Sequence, residues 1–154
     1  MCDIRLPGIT MILTMYLAAG SSSGTGSAQP DPLTVLVVDD ERSIVEALSD
    51  LLESEGYRVA TATDGIEALE KLLGGLRPSL IVLDLMMPRM DGWDFRHAQM
   101  NFPGLKDIPV IILTAAGFSE ASVKAQFGEV ELVSKPFAPQ YLLQVVQQSC
   151  GEPN

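Results

Sequence analysis

Five short runs of branched apolar residues recur along this chain, and between them the apolar positions switch to helical spacing. No other feature restricts the fold as much. The first run is LTVLVVD, Leu33–Asp39, followed by Ile44, Leu48, Leu51 and Leu52 on one helix face, which Gly56 stops. YRVATA (Tyr57–Ala62) reads as a second strand. Asp64 stands three before Glu67, an acidic variant of a capping box, and Ile66, Leu69, Leu72 and Leu73 form the next helix face. SLIVLD (Ser79–Asp84), PVIILTA (Pro109–Ala115) and VELVSK (Val130–Lys135) read as strands three to five. Less regular helices are expected over Trp93–Met100 and Ser119–Phe127, and a closing helix over Pro139–Cys150. Strands alternating with helices, each strand nearly continuous in apolar residues, imply an α/β fold. A doubly wound five-stranded parallel sheet would be covered on both faces, with right-handed crossovers.

In such a sheet, ligands bind outside the carboxyl ends of the strands. Those ends carry Asp39 and Asp40, then Asp84, then Thr114, then Lys135 followed by Pro136. Three carboxylates crowded on one rim cannot all ionise freely; either their pKa values rise or a cation binds. Oxygen-only ligands suit a hard ion such as Mg²⁺, and no Cys/His cluster argues for zinc.

VLVVDDE, LIVLDLMMPRMDG, VIILTA and LVSKPF together resemble the signature segments of a response-regulator receiver domain, the phosphoacceptor half of two-component signalling. The match runs from about Leu33 to Cys150. The resemblance implies a flavodoxin-like sheet of strand order 2-1-3-4-5. It makes Asp84 the phosphorylated residue. Asp40 would bind Mg²⁺ directly, Asp39 mainly through water, and the Met86 carbonyl would be a further ligand. Lys135 would pair with phosphoryl oxygens. Thr114, with the adjacent Ala115, would form the phosphoryl-binding switch, and the Lys135–Pro136 bond would be cis. Pro88 and Gly92 would shape the loop beside the acceptor. The implied partners are a sensor histidine kinase or phosphotransfer protein and an unidentified downstream protein. The chain would not be an enzyme in the ordinary sense; it would accept a phosphoryl group and lose it slowly.

Two rivals stand beside this reading. Hydrolases of the haloacid dehalogenase type also use an aspartyl nucleophile, but place a second Asp two residues later, where this chain has Met86. A receiver-like docking module that works without phosphorylation is the other. The chain also departs from the family pattern. Leu132 stands where the family often has an aromatic ring that moves with the threonine, so switching is expected to rest on Thr114 and the loop after it. The segment 115–127 is about one residue short of the family expectation. Met86 and Ala116 cannot orient a hydrolytic water. Phe127 reads as core, Phe118 as a loop residue, His97 as a solvated helix residue, and Met86, Met87 and Met90 as packing. Leu142, Val145, Val146 and Ser149 read as the core side of a last helix that carries no charge, which disfavours an ionic dimer there.

Residues 1–32 read differently. GITMILTMYLAAG precedes the Ser/Gly-rich SSSGTGSAQP, a flexible leader and linker. Its apolar run of about 11 residues is too short to span a bilayer, so no transmembrane span is expected. A secretion signal, a membrane-surface tether and a disordered leader or mis-assigned start all accommodate it; the last is favoured, because the rest does not read as secreted. The receiver pattern occupies 33–150, leaving 151–154 as a tail with no output domain visible. A net charge of −10 without a Lys/Arg run argues against nucleic-acid binding. Two cysteines near opposite ends form no disulfide framework, which points to a reducing, cytoplasmic setting.

Overall fold

The computed structural model describes residues 33–115 and 117–153; the readings of the leader and of Ala116 lie outside them. Strands β1 (Thr34–Val38), β2 (Arg58–Ala62), β3 (Leu80–Asp84), β4 (Val110–Thr114) and β5 (Glu131–Ser134) alternate with helices α1 (Arg42–Ser54), α2 (Gly65–Leu73), α3 (Gly92–Asn101), α4 (Glu120–Phe127) and α5 (Pro139–Cys150). The sheet is parallel throughout, in the order β2-β1-β3-β4-β5. The apolar runs implied a parallel sheet covered on both faces, and the family resemblance implied this strand order; both are found.

Strand side chains point alternately to opposite faces, so each apolar run builds two cores. Leu36, Val38, Ile81, Leu83 and Ile112 pack beneath Leu69 and Leu72 of α2, Phe95 of α3, and Val123 and Phe127 of α4. Val35, Val37, Val82, Ile111 and Leu113 pack beneath Leu48 and Leu52 of α1 and Leu142, Val145 and Val146 of α5. Leu143, missing from the sequence-based core side of α5, is also buried, whereas Ser149 is only half-buried and donates its hydroxyl to the Val145 carbonyl at 2.8 Å.

The helix starts follow from local chemistry. Asp64 caps α2, accepting from the Glu67 N–H at 2.9 Å. Glu67 reaches back to the Thr63 N–H at 3.0 Å, one residue earlier than in a reciprocal box. Asp91 caps α3 and Ser119 caps α4. At the far end of the sheet, buried Tyr57 donates its hydroxyl to the Gly151 carbonyl at 2.6 Å. Burial, then the charges of Cys150, Glu152 and Glu55, push that phenol up to about 12.

One expectation needs correction. Met86 does not pack: the residue is 58% exposed, while Met90 is buried. The helix that carries the exposed His97 also buries two polar neighbours. His97 itself is exposed, but Arg96 and Gln99 are buried, and Gln99 joins the Arg96 Nη1 at 2.8 Å to the Leu105 and Ile108 carbonyls at 2.9 and 3.1 Å.

Gly92 opens α3 directly against the end of β3. A Cβ there would lie 2.4 Å from the Asp84 carbonyl oxygen and 2.7 Å from the Leu85 Cα, both backbone atoms that cannot step aside. Gly92→Ala is therefore expected to lower the unfolding free energy by about 2 kcal/mol. Gly104→Ala, whose Cβ meets nothing within 4 Å, is expected to leave it nearly unchanged. Urea denaturation of both variants checks this; an unperturbed Gly92→Ala would contradict the close approach.

Candidate functional site

The carboxyl ends of β1, β3, β4 and β5 meet at one rim. Asp39 follows β1, where its N–H still donates to the Ala62 carbonyl at 3.1 Å and so continues the ladder toward β2. Its Oδ1 accepts from the Glu41 N–H at 2.9 Å. Asp84 is the last residue of β3 and Thr114 the last of β4. The Lys135 N–H, just past β5, donates to the Thr114 carbonyl at 2.7 Å, which aims the lysine back across the sheet edge. The Lys135–Pro136 peptide is cis.

Asp39, Asp40 and Asp84 each place a carboxylate oxygen within 4.8 Å of the others. Asp39 and Asp84 are buried and Asp40 is exposed. The Lys135 Nζ donates to Asp39 Oδ2 at 2.8 Å and stands 3.5 Å from Asp84 Oδ2. One ammonium thus meets two of the three grouped carboxylates. Burial is the largest influence on Asp84, the charge of Asp39 the next, and together with Asp40 they push its carboxyl from 3.8 up to about 6. The Met86 N–H, donating to Asp84 Oδ1 at 3.2 Å, and Lys135 pull the other way without prevailing. For Lys135, burial opposes the charge, but the Asp39 hydrogen bond and the charges of Asp39, Asp84 and Glu41 outweigh it and hold the ammonium above its ordinary range.

Three grouped carboxylates with one compensating cation form an oxygen-only donor set that fits a hard divalent ion. Among the described residues no other such cluster of acidic, histidine or cysteine side chains occurs. Thr114 is buried beside this rim, and Ala115 is exposed beside Lys135 and Pro136 in an apolar groove lined by Ile44, Ala47 and Phe137. Leu132 is half-buried and packs into the core under α2, α3 and α4, with no ring to swing.

Nearby aromatic contacts were not legible as a group. Trp93 of α3 packs on Phe127 at 4.9 Å between ring centroids and on Phe118 at 6.1 Å, and His97 meets Phe127 edge-on at 5.5 Å. Phe127 is core, as expected, and Phe118 remains partly exposed. A second contact also escaped the sequence. Arg89, in the loop after β3, pairs with the buried Asp64. Its only signal was a charged residue inside a Pro-x-Met-Asp-Gly turn.

A doubly wound α/β domain with an acidic, lysine-countered rim at the carboxyl ends of its strands defines a small class of cation-competent folds. Within that class, the chain belongs to the response regulator receiver domain family, whose model matches residues 35–147. Response regulator MprA of Mycobacterium sp. strain KMS is 42% identical over 113 residues, 73% of this chain and 48% of the relative. MprA of Mycolicibacterium vanbaalenii matches equally. The chain thus spans about half the length of the curated relatives it matches. Among solved structures, chemotaxis protein CheY4 of Vibrio cholerae is 34% identical with a TM-score of 0.69, covering 76% of this chain and 98% of that one. The receiver domain of Francisella response regulator 1452 is 30% identical with a TM-score of 0.66, covering 75% and 94%. Among the described residues no helix is long and apolar enough to cross a membrane.

The raised Asp84 carboxyl has a thermodynamic consequence. Below about 4 the group is protonated in both folded and unfolded chains. As pH rises from 3.8 toward about 6 the unfolded chain releases this proton while the folded one keeps it, so stability falls, and the loss is complete above about 6. Asp84→Asn removes that burden. Near neutral pH in chelator it is expected to raise the unfolding free energy by about 1–2 kcal/mol, and to leave it unchanged near pH 4. Denaturant titrations at the two pH values decide; a destabilised variant near neutrality would contradict the repulsion.

Proposed function

We propose that this domain is a phosphoacceptor that takes a phosphoryl group on Asp84 in the presence of magnesium and changes its affinity for a protein partner. The observation that carries the reading is the grouping of Asp39, Asp40 and Asp84 within 4.8 Å, with Lys135 at 2.8 Å from Asp39 and 3.5 Å from Asp84.

Asp39 and Asp40, the Asp84 carboxylate and the Met86 backbone carbonyl are the groups that would hold the ion. The chemistry a bound magnesium supplies is charge neutralisation between donor oxygens and the acceptor. The remaining work falls to the chain. Asp84, ionised at neutral pH, is a competent nucleophile toward phosphorus once repulsion is suppressed. One of its oxygens forms the new P–O bond as the donor's bond to phosphorus breaks and its electron pair leaves with the donor. Lys135, already held toward Asp84, is placed to pair with phosphoryl oxygens. Thr114, at the end of β4, supplies a hydroxyl that can turn toward the same group. With Leu132 already packed in the core, the response to that turn falls on Thr114, Ala115 and the loop that follows. The phosphodonors that fit are a sensor histidine kinase, a phosphotransfer protein or a small acyl phosphate.

Loss of the phosphoryl group is expected to be slow. Met86, two residues past the acceptor, is exposed and apolar, so it cannot orient an attacking water as an amide or carboxylate would.

Incubation with acetyl phosphate and Mg²⁺ is expected to add one phosphoryl group, seen by intact mass and mapped to Asp84. Asp84→Asn and chelation should each abolish it. No incorporation into the wild-type protein would leave the docking-module alternative standing. The phosphorylated protein is expected to persist for minutes or longer after the donor is removed, and Met86→Asn to shorten that lifetime roughly tenfold. A wild-type lifetime of seconds would contradict the assignment to Met86.

A further inference from the structure

The loop between β3 and α3 contains the one non-glycine residue with positive φ among the described residues, Arg89 at 64°. For a long side chain that conformation is unfavourable, and it persists only where neighbours impose it. The neighbour here is Asp64. Its carboxylate is divided between two elements: Oδ1 accepts the Glu67 N–H at 2.9 Å and caps α2, while Oδ2 accepts Arg89 Nε at 2.6 Å and also contacts Nη2. The Asp64 side chain is 2% exposed and the Arg89 side chain 63%. An ion pair between two exposed partners contributes little, but removing the partner of a buried carboxylate is costly. A second tie runs alongside, from the Gly65 N–H to the Met90 carbonyl at 3.0 Å. Met90 is seated so closely on Gly65 that a Cβ there would lie 2.6 Å from Met90 Cγ. The loop is thus fastened to the start of α2 at Arg89 and Met90. Its other end carries the Met86 N–H, which donates to the Asp84 carboxylate.

We propose that Arg89 is a positioning residue: by gripping Asp64 it holds the β3–α3 loop so that the Met86 backbone stays aligned with the Asp84 carboxylate. This rests on the magnesium-dependent reading above, since Met86 supplies its carbonyl to the ion there. The role belongs to the guanidinium and not to the backbone shape, because glycine adopts positive φ more easily than arginine does.

That contrast gives the test. Arg89→Gly relieves the backbone but strands the buried Asp64 carboxylate, so its midpoint in urea is expected to lie below wild type while the protein stays folded. Its affinity for Mg²⁺, followed by Trp93 fluorescence or calorimetry, is expected to fall roughly tenfold. Asp64→Asn keeps an oxygen for the α2 cap but loses the charge, and is expected to weaken Mg²⁺ similarly. The Arg89→Gly/Asp64→Asn double variant should be no weaker than either single one, because all three delete the same contact. Arg89→Lys should recover part of the affinity. In the ion-free protein, the Met86 amide should exchange faster in Asp64→Asn than in wild type. Wild-type Mg²⁺ affinity in Arg89→Gly overturns the proposal, as does additive loss in the double variant. If the wild-type protein itself binds no magnesium, the functional reading fails, and the exchange rate of the Met86 amide alone then decides whether the grip exists.

Discussion

Two buried carboxylates share one ammonium at the ends of the strands with an exposed third beside them, and much of the domain's design follows from that imbalance. Lys135 lies 96 residues from Asp39 along the chain, so their contact exists only if β5 sits at the sheet edge in register with β4, and β4 with β3. The register pairs Thr114 with Ser134 and Asp84 with Leu113. A slip of one residue would turn every apolar side chain to the other face and carry the charges out of reach. The two hydrophobic cores therefore hold the charges in place, and the charges remain incompletely compensated. Stability is spent at the rim on a cluster that an added cation or a covalently attached anion with its own counter-ion can relax.

The surroundings follow the same logic. Backbone groups do most of the positioning: the Ala62 carbonyl for Asp39, the Glu41 N–H for its side chain, the Met86 N–H for Asp84 and the Thr114 carbonyl for Lys135. Such contacts depend on the path of the chain more than on side-chain identity. This is why Leu132 and Met86 can depart from the common family pattern while the rim keeps its shape.

Much of this was legible in the sequence. Strands buried on two faces have an unmistakable composition, and the closing helix expected over Pro139–Cys150 has those bounds, with a proline in its first turn and Gly151 after its end. Asp39, Asp40, Asp84, Thr114 and Lys135 could be placed on one rim because parallel strands send all their carboxyl ends the same way. What escaped was contact between elements. Arg96 and Gln99 are polar residue types in a helix of weak periodicity, yet the Leu105 and Ile108 carbonyls draw Gln99 inward. Asp64 could be read as a cap, because capping is local. Its second oxygen belongs to Arg89, 25 residues on, and no local rule reaches that far. Met86 looked like core by residue type alone, although a residue two past a strand end faces whatever occupies the rim.

The hydroxyl of Tyr57 and the ring of Pro153 close the opposite pole. Tyr57 holds the Gly151 carbonyl, and Pro153 lies against Gly56 at the turn into β2. The Leu33 carbonyl, at the entry to β1, accepts from the Arg58 N–H beside that same turn. Both covalent leads, into β1 and out of α5, therefore attach at the pole away from the acidic rim, separated from it by the length of a five-residue strand, roughly 15–17 Å. A neighbour tethered through either lead does not sit over the pocket by virtue of its tether. Any influence of the rim's charge on something anchored at that pole would have to pass along the helices and loops that flank the open sheet.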